Sequence, residues 1–207
     1  MCLLAFEMAA RACSEAAKES MTAGRIGCIT TPHQGNPLQP EWDVMADNGC
    51  FSNRWTYNHW SMWMDKVPTS VRFAVAPDVV SERGELTHDD TVRRWETYAP
   101  LIRDRGLVPA FVGQPGCTPD GIPEDAEVFF IGGTTEWKLG PQARECVVAC
   151  KEKDMWVHMG RVNSRKRCLI ANEMGCDSVD GTKLVFAPDR HLPMLESWML
   201  EINGVKQ

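Results

Sequence analysis

Short runs of β-branched and aromatic residues alternate with helical segments along most of this chain. Seven runs predict strands: RIGCIT (25–30), WDVMA (42–46), VRFAVA (71–76), LVPAFVG (107–113), AEVFFIG (126–132), MWVHMG (155–160) and CDSVD (176–180). This alternation is typical of βα units, in which parallel strands form a sheet that helices cover. Seven such strands favour a closed, TIM-like α/β barrel over an open sheet.

Four segments between these strands have helical spacing and recognisable end signals: 53–67, 87–106, 140–154 and 163–175. Thr87 and Asn163 are predicted N-caps. Pro141 suits a first helical turn and Gly175 a left-handed stop. The stretch 114–125, QPGCTPDGIPED, predicts only a loop or one short helix between two strands.

The two ends of the chain carry less regular patterns. Residues 1–20 predict a helix, because four apolar residues share one face at helical spacing: Leu3, Phe6, Ala10 and Cys13. KLVFA (183–187), in the C-terminal segment 183–207, is the candidate for an eighth strand. Because 207 residues is short for a (βα)₈ barrel, we expect a single domain over 1–207 with reduced or missing helices.

Composition excludes several classes of protein. No apolar run approaches a membrane span, and the first 20 residues lack the basic and long apolar regions of a signal peptide. The nine cysteines are scattered without a C-x-x-C, which predicts a reduced, cytoplasmic protein with no disulfide framework. We expect no metal and no cofactor, since Cys146 and Cys150, one helical turn apart, suit core packing better than zinc.

Polar residues or glycines follow six successive strands where each strand ends: Asp47 and Asn48, Asp78, Gln114, Gly132 and Gly133, Met159 and Gly160, and Asp180. In barrels of this class the carboxyl ends of the strands carry the chemistry. Strands that have no functional role also end in polar loops, but the repetition over six strands favours a functional site.

These strand ends resemble, in order, motifs of the guanine transglycosylase family, which includes tRNA-guanine and archaeosine enzymes and their DNA-modifying relatives. The matching segments are MADNGCF (45–51), FAVAPDVV (73–80), FVGQPG (111–116), FIGGTTEWKLG (130–140), VHMGRV (157–162) and GCDSVDGT (175–182). The resemblance covers about residues 43–182. Each motif is weak alone, and the specificity comes from their shared order.

The resemblance implies an exchange of guanine in DNA for a 7-deazaguanine of the preQ0 type, through a covalent Asp–sugar intermediate. It makes Asp180 the nucleophile and Asp47 the general acid/base. It assigns six residues to base binding, with Phe51 and Met159 as the faces of a sandwich: Asp78, Gln114, Gly132, Gly133, Phe51 and Met159. The implied partners are DNA, the free deazaguanine base and a second copy or partner protein, in the host cytoplasm if the gene is from a phage.

The chain departs from the family's tRNA enzymes after Asp180. Their zinc subdomain has a C-x-C-x-x-C motif and a later histidine, whereas His191 follows here without any cysteine. Their tRNA-binding additions also have no room. These departures favour the phage and bacterial branch that modifies DNA. In addition, Cys50 stands where the family has its second glycine.

A basic patch follows the sixth strand in GRVNSRKRC, formed by Arg161, Arg165, Lys166 and Arg167. At the start of a helix such a patch predicts contact with nucleic-acid phosphates. A solvated charged face is the alternative. The net charge of −6 also weighs mildly against nucleic-acid binding.

Alternatives stay open for single residues and for the function. Asp177 suits a brace for backbone N–H groups. Asp47 also fits a turn in the sequence DNG. Met159 also fits a position in the core, and Gln114 also fits a loop that Pro115 shapes. The functional alternatives are a tRNA-guanine transglycosylase, a non-catalytic barrel that binds a modified base or nucleotide, and an unrelated barrel enzyme acting on a sugar phosphate.

Overall fold

Eight parallel strands form a closed barrel in the residues that the computed structural model describes, which are 2–8, 14–34, 38–52, 54–80 and 85–204. They run in chain order: β1 Leu4–Met8, β2 Gly27–Thr30, β3 Val44–Ala46, β4 Ala74–Val75, β5 Pro109–Gly113, β6 Val128–Ile131, β7 Trp156–Met159 and β8 Ser178–Gly181. Pairing of β1 with β8 closes the ring. The predicted TIM-like α/β barrel is confirmed.

The helices are α1 Glu15–Thr22, α2 Tyr57–Met64, α3 His88–Arg103, α4 Thr135–Leu139, α5 Pro141–Glu152, α6 Arg165–Met174, α7 Lys183–Phe186 and α8 Pro188–Ile202. The four predicted helices correspond to α2, α3, α5 and α6. Reduction of the helical layer is also confirmed. Only a 3₁₀ turn, Pro119–Gly121, lies between β5 and β6, and the described residues between β2 and β3 contain no helix.

Helix ends follow the predicted signals except at the starts of α3 and α6. Thr87 stands at the N-cap position of α3, but its side chain makes no capping hydrogen bond. Gly175 adopts the left-handed conformation expected of a stop, with φ +92°, and Pro141 opens α5. The N-cap of α6 is Ser164, not Asn163. Asn163 instead accepts a hydrogen bond from the Thr182 N–H at 2.9 Å, so it ties together the loops that follow β7 and β8.

Both predictions for the chain ends were wrong. Within 1–20 the helix begins only at Glu15, and Leu4–Met8 is a strand with Phe6 inside the barrel and Ala5 in the core outside it. A strand that is covered on both faces lacks a strict alternation of apolar and polar residues, so its apolar positions match helical spacing equally well. Ala10 and Cys13 lie outside the described residues.

KLVFA forms α7 rather than an eighth strand. Leu184 is buried while Phe186 is exposed, which is a one-sided helical pattern. The Glu7 carboxylate of β1 accepts a hydrogen bond from the Leu184 N–H at 3.2 Å and so satisfies the start of α7. Because β1 already occupies the gap beside β8, the barrel has no place for another strand.

The barrel interior is a packed core and not a channel. Apolar side chains of six strands and their flanking residues fill it: Phe6, Ile29, Met45, Phe73, Val75, Ala110, Val112, Val128 and Phe130. Gly27 makes room for Phe6, since a Cβ there would lie 2.3 Å from the ring. A ligand can therefore reach this barrel only at its mouth.

Candidate active site

A cavity of about 280 Å³ opens at the carboxyl ends of the strands. Most of the predicted site residues line it: Asp47, Phe51, Asp78, Gln114, Gly132, Gly133, Arg161 and Asp180. Its floor is apolar, from Ile29, Val75, Val112 and Phe130. The structure thus brings together residues that are spread over more than half of the chain.

Met159 does not reach this cavity, so its predicted role as one face of a base sandwich was wrong. It is 0% exposed and packs in the core between the barrel and the helices. Alternation along β7 turns Met159 outward and His158 inward. Of the predicted sandwich only Phe51 remains, and Phe130 supplies the apolar floor.

The basic patch is divided by the structure. Arg161 lines the cavity, whereas Arg165, Lys166 and Arg167 lie on α6 away from its lining. The Arg165 guanidinium forms an ion pair with the Glu201 carboxylate of α8. The four cations therefore do not act as one surface facing the cavity.

Asp78 is held by two amide side chains. The Asn48 and Gln114 side-chain amides donate to its two carboxylate oxygens, at 2.9 Å and 2.6 Å. Burial raises the pKa of Asp78 above its ordinary value, while these hydrogen bonds act in the opposite direction. Asn48 was noted in the sequence only as a strand-end residue, and its role becomes visible once β3 and β4 are neighbours.

Gln114 lines the cavity and carries an acceptor without a hydrogen-bond partner. Its Oε1 is buried and has no hydrogen-bond partner, while its Nε2 is committed to Asp78. Leaving a buried acceptor unpaired costs about 1–3 kcal/mol. A ligand that donates a hydrogen bond there would remove this cost.

Asp47 has the properties of a group that exchanges protons near neutral pH. Burial, followed by the negative charges of Asp180 and Asp78, raises the pKa of Asp47 to about 7. Its Oδ1 also accepts from the Gly49 N–H at 2.8 Å, as the turn interpretation of DNG predicts. The turn therefore holds Asp47 in place at the cavity wall.

Asp180 is 7% exposed at the end of β8, and donors on two sides orient it. The Arg161 N–H donates to Oδ1 at 2.8 Å, and His158 Nε2 lies 3.0 Å from Oδ2. Arg161 adopts φ +57° to present this N–H, a conformation that costs a residue with a side chain about 1 kcal/mol. The loop after β7 is thus shaped around Asp180.

A chain of hydrogen bonds runs beneath Asp180 through the barrel. Trp156 Nε1–H donates to Ser178 Oγ at 2.9 Å, and Ser178 Oγ lies 2.8 Å from His158 Nδ1. When the Ser178 hydroxyl donates to Nδ1, the Nε2–H of His158 donates to the Asp180 carboxylate. The sequence analysis missed this role of His158, and the alternation of Trp156, His158 and Ser178, Asp180 on adjoining strands was the available signal.

Lys138 is a second buried residue that the sequence analysis missed. Its Nζ donates to the Gly160 carbonyl at 2.5 Å, next to Arg161 in the chain. Burial, followed by the positive charge of Arg161, lowers the pKa of Lys138 to about 7. Lys138 thereby anchors the loop that holds Asp180.

Arg161 also narrows the mouth of the cavity. Its guanidinium donates to the Gly133 carbonyl and lies 4.5 Å from the centre of the Phe51 ring. Gly133 has no room for a side chain, since a Cβ there would lie 2.9 Å from Pro115 and 3.0 Å from Trp137. In the described part of the chain, no cluster of three or more His, Cys, Asp or Glu side chains is arranged to hold a metal ion.

Solved structures resemble this barrel. The chain aligns with a crystal structure of tryptophan synthase from M. tuberculosis, an open form with BRD0059 bound, at a TM-score of 0.56 and 14% identity, over 98% of this chain and 92% of that one. The match shows the fold alone. An aminoacrylate- and BRD0059-bound form of the same enzyme aligns at a TM-score of 0.49 and 16% identity, over 91% of this chain and 65% of that chain.

No protein-family model matches this sequence, and no curated protein matches it. None of the helices in the described ranges is long and apolar enough to cross a membrane. Any inference about function therefore rests on the residues that line the cavity.

Proposed function

We propose that this protein is a base-exchange transglycosylase, which replaces guanine in DNA by a 7-deazaguanine through a covalent bond between Asp180 and the sugar. The observation that carries the proposal is the meeting of Asp47, Asp78 and Asp180 in one cavity with Gln114. Three carboxylates around an apolar floor suit a planar, hydrogen-bonding base attached to a sugar that develops positive charge.

The edge of a guanine fits the polar wall of this cavity. Guanine presents two donors, N1–H and the exocyclic amine, for which Asp78 is an acceptor. The unpaired Gln114 Oε1 is another acceptor on the same wall. The base would lie above the apolar floor, next to the Phe51 ring.

The two remaining carboxylates divide the reaction. Asp180 attacks C1′, the N9–C1′ bond breaks, and Asp47 donates a proton to the departing guanine. The incoming deazaguanine then loses its N9 proton to Asp47 and attacks C1′, which releases Asp180. A pKa of about 7 lets Asp47 donate in the first step and accept in the second.

Trapping the intermediate tests this proposal. The protein is incubated with guanine-containing DNA, or with tRNA, without an incoming base, then denatured and analysed by intact mass and peptide mapping. We expect a DNA adduct on the peptide that contains Asp180, one guanine released per adduct, and no adduct with Asp180→Asn. Asp177→Asn, three residues away, is the matched control and should still form it.

The alternatives give different results in the same experiment. An adduct with tRNA alone would assign the protein to the tRNA-modifying reaction. Binding of free guanine or deazaguanine with neither an adduct nor exchange of labelled guanine would indicate a non-catalytic binding barrel. Absence of binding, adduct and exchange would refute the proposal.

A further inference from the structure

A second concave surface, which we call the rim groove, lies beside the cavity. It has a volume of about 590 Å³ and is lined by Pro32, His33, Gln34, Arg54, His59, Met62, Trp63 and Lys66. These residues come from the segment after β2 and from α2 with its flanks. None of them belongs to the lining of the cavity.

The rim groove and the cavity share one wall. Gly49, in the loop after β3, packs so closely on the segment after β2 that a Cβ there would lie 3.2 Å from Pro32 and 3.5 Å from His33. The same loop places Asp47 and Phe51 in the cavity. A chain molecule entering the cavity from this side would therefore pass over the rim groove.

The rim groove is positively charged on a protein whose net charge is −6. Arg54 and Lys66 are exposed, and in the described part of the chain neither forms an ion pair. The neighbouring Asp65 carboxylate pairs with Arg105 at 2.7 Å, so it does not neutralise Lys66. Burial lowers the pKa of His33, and the neighbouring His59 and Arg54 act in the same direction.

The rim groove also offers hydrogen-bonding and stacking groups. His33 Nε2 is buried without a partner, and the rings of His33 and His59 lie 4.9 Å apart. Trp63 is half-buried and adds an aromatic face next to the cations. Cations interleaved with aromatic rings are the combination with which proteins hold an extended nucleic-acid strand.

We propose that the rim groove binds the phosphate backbone of the DNA strand whose base enters the cavity, with Arg54 and Lys66 as the phosphate contacts. This inference rests on the proposed function for its ligand. It also moves the expected backbone contact from the patch on α6 to the segment after β2 and to the flanks of α2. A solvent-exposed cation loses little hydration free energy when it contacts a phosphate, and its binding releases counterions from the DNA. Binding should therefore depend strongly on salt concentration.

The test measures DNA affinity at several salt concentrations, by fluorescence anisotropy with a labelled duplex and without any incoming base. Arg54→Ala/Lys66→Ala should weaken binding by about tenfold or more and lower the slope of log Kd against log salt by about 2. The matched control is Arg144→Ala/Lys153→Ala, which removes one exposed Arg and one exposed Lys from α5 and its end. It should leave the slope unchanged.

Each outcome decides the inference. Equal loss in both double variants, or an unchanged slope in the first, would overturn it. Tight binding of tRNA through Arg54 and Lys66, with weak binding of duplex DNA, would overturn the choice of DNA. Failure of the proposed function gives a separate result. If the duplex binds through Arg54 and Lys66 while labelled guanine is never exchanged, the rim groove is supported as a DNA-binding site and the transglycosylase function is refuted.

Discussion

The two ends of β8 hold aspartates that the barrel uses in opposite ways. At the amino end, Asp177 accepts from the Val157 N–H at 2.7 Å and from Lys151 Nζ at 2.8 Å. At the carboxyl end, Asp180 faces a cavity together with Asp47 and Asp78. Both aspartates are buried, so burial by itself does not separate structure from function.

The difference lies in what surrounds each carboxylate. Asp177 meets a cation and a backbone donor from neighbouring elements, so its charge is compensated within the protein. Its role as a brace is confirmed, although the N–H belongs to β7 rather than to its own turn. Asp180 adds a negative charge that helps to raise the pKa of Asp47, an arrangement that stability alone would not favour.

The largest effect is expected from Asp180→Asn. Loss of the nucleophile should lower labelled-guanine exchange by at least about 10⁴-fold, while the free energy of unfolding stays unchanged or rises, because a crowded negative charge disappears. Exchange assays and urea unfolding of the same preparation measure both. Retained exchange in this variant would show that β8 does not supply the nucleophile.

His158→Ala should reduce kcat by roughly 10²-fold with little change in KM, because Asp180 loses the group that orients it from below. His158→Gln, which can present an amide N–H towards Asp180, should recover part of the rate. A purely structural role would instead lower the unfolding temperature of both variants while kcat of the folded fraction stays normal.

Asp177→Ala should act on stability and leave the chemistry intact. Removing it leaves the buried Val157 N–H unpaired and takes one partner from Lys151, whose Nζ still donates to the Met155 carbonyl, so the free energy of unfolding should fall by about 1–3 kcal/mol. Below the unfolding transition, kcat should match that of the wild type. An equal loss of kcat would mean that the two ends of β8 are not functionally distinct.

The smallest effect concerns Asp47 and pH. The folded protein keeps this proton up to about pH 7, whereas the unfolded chain releases it near pH 3.8, so stability falls as pH rises between these values. Asp47→Asn removes this loss. The measurement is the difference between the unfolding temperatures of the variant and the wild type at each pH. In favour of the variant, this difference should be at least about 2 °C larger at pH 8 than at pH 4.

The comparison with wild type is needed because Glu7, whose pKa burial also raises to about 7, contributes the same trend to both proteins. A difference in unfolding temperature that is independent of pH would show that Asp47 is not the proton-exchanging carboxylate. The exchange rate of the wild type should fall as pH rises through about 7, because Asp47 loses the proton that it donates in the first step, and this alkaline limb should be absent in the same variant.

Local patterns predicted most of the barrel and failed for β1 and α7, near the two ends of the chain. Seven strands and four helices follow from period, caps and turn residues, and Gly175 and Pro141 mark helix ends as expected. LAFEM in β1 carries no alternation that excludes a helix, so its assignment depends on pairing with β2 and β8. Which strand closes the barrel is decided by a contact between the two ends of the chain.

Within the candidate site, the residues at strand ends were predictable and their partners were not. Asp47, Asp78, Gln114 and Asp180 stand at the carboxyl ends of β3, β4, β5 and β8, which places them at one mouth as soon as the barrel closes. The support from Asn48, His158 and Lys138 depends on which side chains face inward and on which loops meet. Met159 shows the same limit, since one step along β7 decides whether a side chain faces the cavity or the helices.

By itself, the sequence determined a parallel barrel with acidic and amide side chains at its carboxyl ends, because period and turn chemistry are local properties. Only the tertiary structure decided that Leu4–Met8 closes the ring, that His158 and the Arg161 N–H orient Asp180, and that the cations of the rim groove lie beside the cavity. These features arise from contacts between residues far apart in the chain, whose cost in chain entropy is met only when the whole core forms.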